Sequence, residues 1–266
     1  MADPNLDLPA TMFRSGDTVK KTVATMARRL QGVINRELEY TEIGEHAIFE
    51  GDIVLASIAE VKAAEQAADS RGIGIKGANF RWPDGKVPFV IAAESTRARV
   101  LAAIDHWHAN TPFKFTPRVQ ETDFVSFDAL DGCFSRVGRQ GGMQVVSIGT
   151  DCGIGSAIHE IGHVIGLWHE QSRADRDTFV QIVSANIDPR FSSNFTKHIQ
   201  DGDDLGPYDH GSIMHYPATA FSINGQPTIL TKNGQSIGQR NGLSRGDKFA
   251  MSLMYNGLNW APFLTT

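Results

Sequence analysis

The stretch His159-Glu160-Ile161-Gly162-His163-Val164-Ile165-Gly166-Leu167-Trp168-His169-Glu170 decides how this chain is read. In an α-helix, residues four apart lie one above the other, so His159 and His163 offer two imidazoles to a single ion from one face. Zinc that does chemistry usually takes three protein ligands and leaves a fourth position open. Gly166 lets the helix end in a left-handed cap at no steric cost, after which His169 can turn back as the third ligand. Glu160 points elsewhere, yet lies close enough to act as a general base on water at the metal. An amphipathic core helix built on Ile161, Val164, Ile165, Leu167 and Trp168, with histidines that only hydrogen-bond, is the plain alternative. The short His-Glu-x-x-His pattern leaves that alternative open, and the extension to Gly166 and His169 argues against it.

About forty residues on comes Ser212-Ile213-Met214-His215-Tyr216. Together the two stretches resemble the long zinc motif and Met-turn of metzincin endopeptidases, and Glu170 after the third histidine points to the astacin family. The resemblance implies one catalytic zinc held by His159, His163 and His169, with Glu160 as base. It implies that Met214 is a hydrophobic floor and that the Tyr216 hydroxyl donates to the oxyanion of the reaction. Gly138-Arg139 with Gly141-Gly142, Gln171-Ser172-Arg173, Asp175-Arg176-Asp177, and Leu243-Ser244 with Asp247 and Tyr255 extend the likeness back to Trp82. His210 stands where the family more often has tyrosine, and reads as a surface or supporting group outside the ligand set.

Upstream, Phe49-Glu50-Gly51-Asp52 is on its own a common Gly-Asp turn. It also resembles the propeptide motif of the same family, whose aspartate occupies the zinc position that water needs. Asp52 would then be a fourth metal ligand in the zymogen only. The run from Asp69 to Gly77 reads as an exposed linker with basic cleavage points, and the likeness places the activation cut at Arg71-Gly72, with Lys76-Gly77 as an alternative. The new N-terminus would pair with the buried Glu170. The organisation expected is therefore a propeptide over 1–71 and a catalytic domain over 72–266, divided into an upper subdomain (72–168) and a lower one (169–266).

Composition narrows the partners. The chain has 266 residues, 41% of them hydrophobic, and a net charge of −5 with no basic cluster, which argues against nucleic acid. No run of eighteen apolar residues suggests a membrane span, and Met1 to Asn5 lacks the apolar core of a secretory signal. Cys133 and Cys152 are the only cysteines and leave either a disulfide or two free thiols. The resemblance implies the disulfide, hence an oxidising location and a secreted enzyme.

The expected fold class is α+β: a metzincin (zincin-like) catalytic domain with a twisted, mostly parallel sheet, an active-site helix and a cleft, preceded by a mainly helical propeptide. The helical part rests on Val19, Val23, Met26, Leu30, Val33 and Ile34 at helical spacing over Thr18 to Leu38, and on an alanine-rich run from Ser57 to Ala68. Strands are expected over 86–91, 113–115, 124–127 and 144–148 and a helix over 96–109, and the resemblance implies an antiparallel edge strand near 134–137 where an extended peptide could add itself. Ser244 and Asp247 form a capping box for a late helix. The resemblance thus implies an endopeptidase acting on protein or peptide substrates, synthesised latent with its own propeptide as inhibitor. A peptide-binding module on the same fold, or a zinc hydrolase of a non-peptide amide or ester, are the alternatives.

Overall fold

A computed structural model describes residues 21–29, 32–59, 80–198 and 202–264. Its strands are β1 (Lys21–Arg29), β2 (Gly32–Ile43), β3 (His46–Phe49), β4 (Ile53–Ser57), β5 (Lys86–Ile91), β6 (Lys114–Pro117), β7 (Phe124–Asp128), β8 (Cys133–Ser135), β9 (Met143–Ile148), β10 (Val180–Ile182) and β11 (Ile229–Thr231). Its α-helices are α1 (Arg97–Asn110), α2 (Ile154–Ile165), α3 (Arg245–Met254) and α4 (Ala261–Leu264).

The strands expected in the catalytic region all form. β6, β5, β7 and β9 run parallel and β8 joins β9 antiparallel, in the spatial order β4-β8-β9-β7-β5-β6. Val125, Phe127, Val146 and Ile148 are fully buried, as a parallel sheet covered by helices requires. α1 packs Val100, Ala103, Ile104 and Trp107 into that core. The region from Lys86 to Ile165 is thus the mixed α and β layer that the sequence predicts.

Two expectations are corrected. The helix predicted over Thr18 to Leu38 is, over the described residues, an antiparallel hairpin in which β1 and β2 pair from Lys21↔Tyr40 to Arg29↔Gly32. The apolar positions that fit a helical period are rich in β-branched residues, and Gly32 interrupts the run, so the pairing of two strands wins over local propensity. The alanine-rich helix after Ser57 and the cut at Arg71-Gly72 lie almost wholly outside the described residues. The second correction concerns β8, which is not a free edge: β4 lies beside it in parallel through Ile53↔Ser135, and the Ser135 amide donates to the Asp52 oxygen at 2.9 Å. The upstream segment takes the strand position expected above for a peptide ligand.

α2 carries the deciding motif and is fastened at both ends. At its start, Cys152 is bonded to Cys133 of β8, with no free cysteine in the chain. At its end, Gly166 adopts φ 115° and its amide reaches the Gly162 and His163 oxygens, the left-handed cap expected of it. The carbonyls left over there are satisfied from afar: Val164 by the Trp82 indole at 2.9 Å and Ile165 by the Tyr255 hydroxyl at 2.8 Å. Further along the chain, α3 opens on the predicted Ser244–Asp247 capping box. Among the described residues no helix is long and apolar enough to cross a membrane.

Candidate metal centre

His159 and His163 project from α2, and His169 arrives from the extended backbone after the Gly166 turn (φ −65°, ψ 138°). Asp52 comes from the turn between β3 and β4. One ligand atom from each of these residues lies within 4.8 Å of the others, and all are buried. Asp52 Oδ2 is 3.3 Å from His159 Nε2 and 3.1 Å from His169 Nε2, and Oδ1 is 3.8 Å from His163 Nε2. Residues separated by more than a hundred positions thus face one point.

Whether a cation fits there can be tested on the ring nitrogens. His159 Nδ1 donates to the Ile213 oxygen and His163 Nδ1 to the Leu167 oxygen, each at 2.8 Å. Carbonyl oxygens only accept, so these Nδ1 atoms carry the hydrogens and the Nε2 lone pairs point inward. His163 Nε2 and Asp52 Oδ1 are buried without a hydrogen-bond partner. Inward lone pairs beside a carboxylate repel unless a cation lies between them, and nitrogen donors with one oxygen are the donor set zinc prefers.

The electrostatics agree. Burial, and then the Arg240 charge, lowers His159 to about 4, while burial followed by the neighbouring imidazoles holds His163 well below its ordinary range. Burial would lower His169 too, but Asp52 and then Glu50 outweigh it and raise the ring to about 9. This is a pocket that favours positive charge between two carboxylates and keeps two imidazoles neutral. Burial, with the charge of Asp52 behind it, holds Glu160 well above the usual carboxylate range, and both its oxygens are buried without partners. A cation among the histidines opposes both effects.

Met214 lies beneath α2: a Cβ built on Gly162 would come within 2.6 Å of its Sδ, so that glycine is what lets the sulfur approach. Asp247 ties the same turn to α3, accepting from Ser212 Oγ at 2.6 Å and the Ile213 amide at 3.0 Å. The Tyr216 ring is 4.7 Å from that of His169, and its hydroxyl donates to the main-chain oxygen of Glu50. Glu170 accepts from the Asp209 amide at 2.8 Å and has Arg173 at 3.5 Å. Burial raises its carboxyl to about 8 in spite of Arg173. It borders a cavity of about 380 Å³ lined also by Arg81, Trp168, Arg173, Leu253 and Met254.

Three residues of the site carried no sequence signal of their role. Glu50, Ser172 and His198 form a buried cluster behind His169, joined by bonds of 2.8 to 3.0 Å. Only spatial proximity reveals it, since His198 is a lone histidine in a loop. His210 corrects the surface reading: it is 7% exposed, packed on Tyr208 and Phe179, with Nε2 buried and unpartnered. It is not among the converging metal-facing groups.

Comparisons with known proteins agree with this geometry. A family model described as Astacin (Peptidase family M12A) matches residues 74–256. Zinc metalloproteinase nas-13 of Caenorhabditis elegans is 37% identical over 225 residues, covering 78% of this chain and 50% of that protein. The Astacin-like metalloendopeptidase of Mus musculus is 41% identical over 191 residues, covering 67% and 44% respectively. The chain thus spans about half the length, or less, of these curated relatives. Among solved structures, High choriolytic enzyme 1, a hatching enzyme zinc-protease from the medaka Oryzias latipes, is similar with a TM-score of 0.61 and 37% identity, over 69% of this chain and 94% of that one.

Proposed function

The chain belongs to the astacin family of zinc metallopeptidases, and from that premise we propose that it is a secreted endopeptidase, latent while residues 1–71 remain attached. The observation that carries this is the convergence of His159, His163, His169 and Asp52, whose ligand atoms lie within 4.8 Å of one another. The three imidazoles would hold one zinc ion, with Asp52 in the fourth position. When bound, zinc supplies a Lewis acid and makes water acidic enough to act as a nucleophile near neutral pH.

The remaining steps belong to the protein. Strand β8 pairs with an extended peptide once β4 has left it, which orients the scissile bond. Glu160 takes the proton of the attacking water and returns it to the leaving amine. Tyr216, released from the Glu50 carbonyl, donates to the oxygen on which charge develops. In the full chain Asp52 excludes water and Glu50 occupies the tyrosine, so two steps are blocked by one turn. Cleavage at Arg71-Gly72 would free an α-ammonium for Glu170, a largely buried carboxyl group that borders a cavity. Domain limits of 1–71 and 72–266, with the two halves meeting at His169, follow from the same reading, and the Cys133–Cys152 bridge supports secretion.

Cleavage of a denatured protein substrate, measured before and after trypsin, tests the reading. Activity should appear on treatment, vanish with a zinc chelator and be absent from Glu160→Gln. Undiminished cleavage by that variant would refute it.

A further inference from the structure

The three imidazoles are not supported alike. His159 and His163 pass their Nδ1 hydrogens to neutral carbonyls of Ile213 and Leu167, at 2.8 Å each. His169 passes its own to Oε2 of Glu50, a carboxylate from the upstream segment, also at 2.8 Å. Glu50 is fully buried, and its other oxygen accepts from Ser172 Oγ at 2.8 Å and His198 Nε2 at 3.0 Å. His198 is set in turn by stacking on Trp168, centroids 4.0 Å apart, and by the edge of Phe49 at 5.7 Å. Glu50 has φ +50°, a left-handed conformation that a non-glycine residue keeps only where its surroundings hold it.

His169 is also the imidazole that no helix orients, so it depends most on what lies behind it. A carboxylate accepting from Nδ1 fixes the tautomer, aims Nε2 and makes the ring a stronger donor than a carbonyl would. We infer that Glu50 is the positioning residue of His169, so that the upstream segment strengthens zinc binding twice in the full chain: once through Asp52 at the metal, once through Glu50 behind a ligand. The inference rests on the zinc reading above. Its consequence is that zinc is captured before activation and becomes more exchangeable once residues 46–57 leave.

The test is the zinc dissociation constant of the uncleaved chain, measured by competition with a chromogenic chelator. Glu50→Gln keeps the shape and removes the charge, and should weaken binding by about 10- to 100-fold. Ser172→Ala, which leaves Glu50 in place but loosens its other oxygen, should shift binding the same way by less and guards against a misfolded first variant. Glu50→Gln in an Asp52→Asn background separates the two routes. A loss that persists there supports action through His169, and a loss that disappears there shows that Glu50 only places Asp52 and overturns the inference. An unchanged constant for Glu50→Gln and Ser172→Ala overturns it as well, while the zinc reading stands. Failure of the parent chain itself to bind zinc would overturn both.

Discussion

The hydroxyl of Tyr216 donates its hydrogen bond to the main-chain oxygen of Glu50, two residues before the carboxylate of Asp52 that faces three imidazoles. One turn of the upstream segment therefore engages both the metal-facing pocket and the donor expected to steady the oxyanion. The tyrosine is buried and its ring touches those of His169 and Phe195, so its place does not depend on the bond to Glu50.

Tyr216→Phe should therefore leave the fold intact and act on chemistry. In the trypsin-activated protein kcat should fall by roughly 10²-fold or more with KM little changed, the effect of losing one oxyanion donor. Steady-state kinetics on a peptide substrate measure both, and an unchanged kcat would remove Tyr216 from the mechanism.

Asp52→Ala should separate latency from cleavage. Without its carboxylate the fourth position opens to water while the chain stays whole, so chelator-sensitive hydrolysis of a small peptide should rise above the wild-type background before any trypsin is added. The rise should be partial, since β4 still lies beside β8. Activity that stays at background until the chain is cut would assign latency to the covering strand alone.

The Cys133–Cys152 bridge closes a separation of 19 residues between β8 and the start of α2. Replacing both cysteines by alanine should reduce unfolding free energy by about 3 kcal/mol in the chain-entropy account. Denaturant titration of the uncleaved protein reads this directly, and a change under about 1 kcal/mol would mean that packing of α2 carries the connection by itself.

His106 offers a pH test away from the metal. Its Nε2 accepts from the Leu243 amide at 3.0 Å, and burial, then the Lys248 charge, lowers its pKa. The folded state resists a proton that the unfolded chain takes up near pH 6.5, so this contribution is present above that pH and fades as pH falls. Because the ring is only partly buried, the slope should be well under the roughly 1.4 kcal/mol per pH unit of a fully shifted buried group. Comparing denaturant midpoints at pH 7.5 and 5.5, His106→Gln should lose less stability than wild type, and equal losses would contradict the assignment.

What the sequence made legible was local. The four-residue spacing of His159 and His163, the glycine cap, the Ser244–Asp247 box and the alternating strands of the upper half each follow from periodicities within one element. Contacts across long separations were not legible from periodicity, and the meeting of Asp52 with the three histidines was expected only through the family resemblance. The Glu50–His169 bond spans 119 residues and the Glu50–His198 bond 148, and neither residue belongs to a periodic pattern. The region expected as a helix from Thr18 to Leu38 misled for another reason: its apolar positions fit a helical period, and over the described residues pairing into a hairpin overrode that preference. The covered edge of β8 could not be foreseen from β8, because its partner lies upstream.

In the proposed latent form, Asp52 occupies the fourth zinc position of the uncleaved chain. A crystal structure of the zinc-loaded full chain, with the ion located by anomalous scattering at the zinc edge, tests it most directly. The expected result is an Asp52 carboxylate oxygen about 2.0–2.2 Å from an ion that His159, His163 and His169 also bind. An ion with water in that position and Asp52 turned away would contradict it.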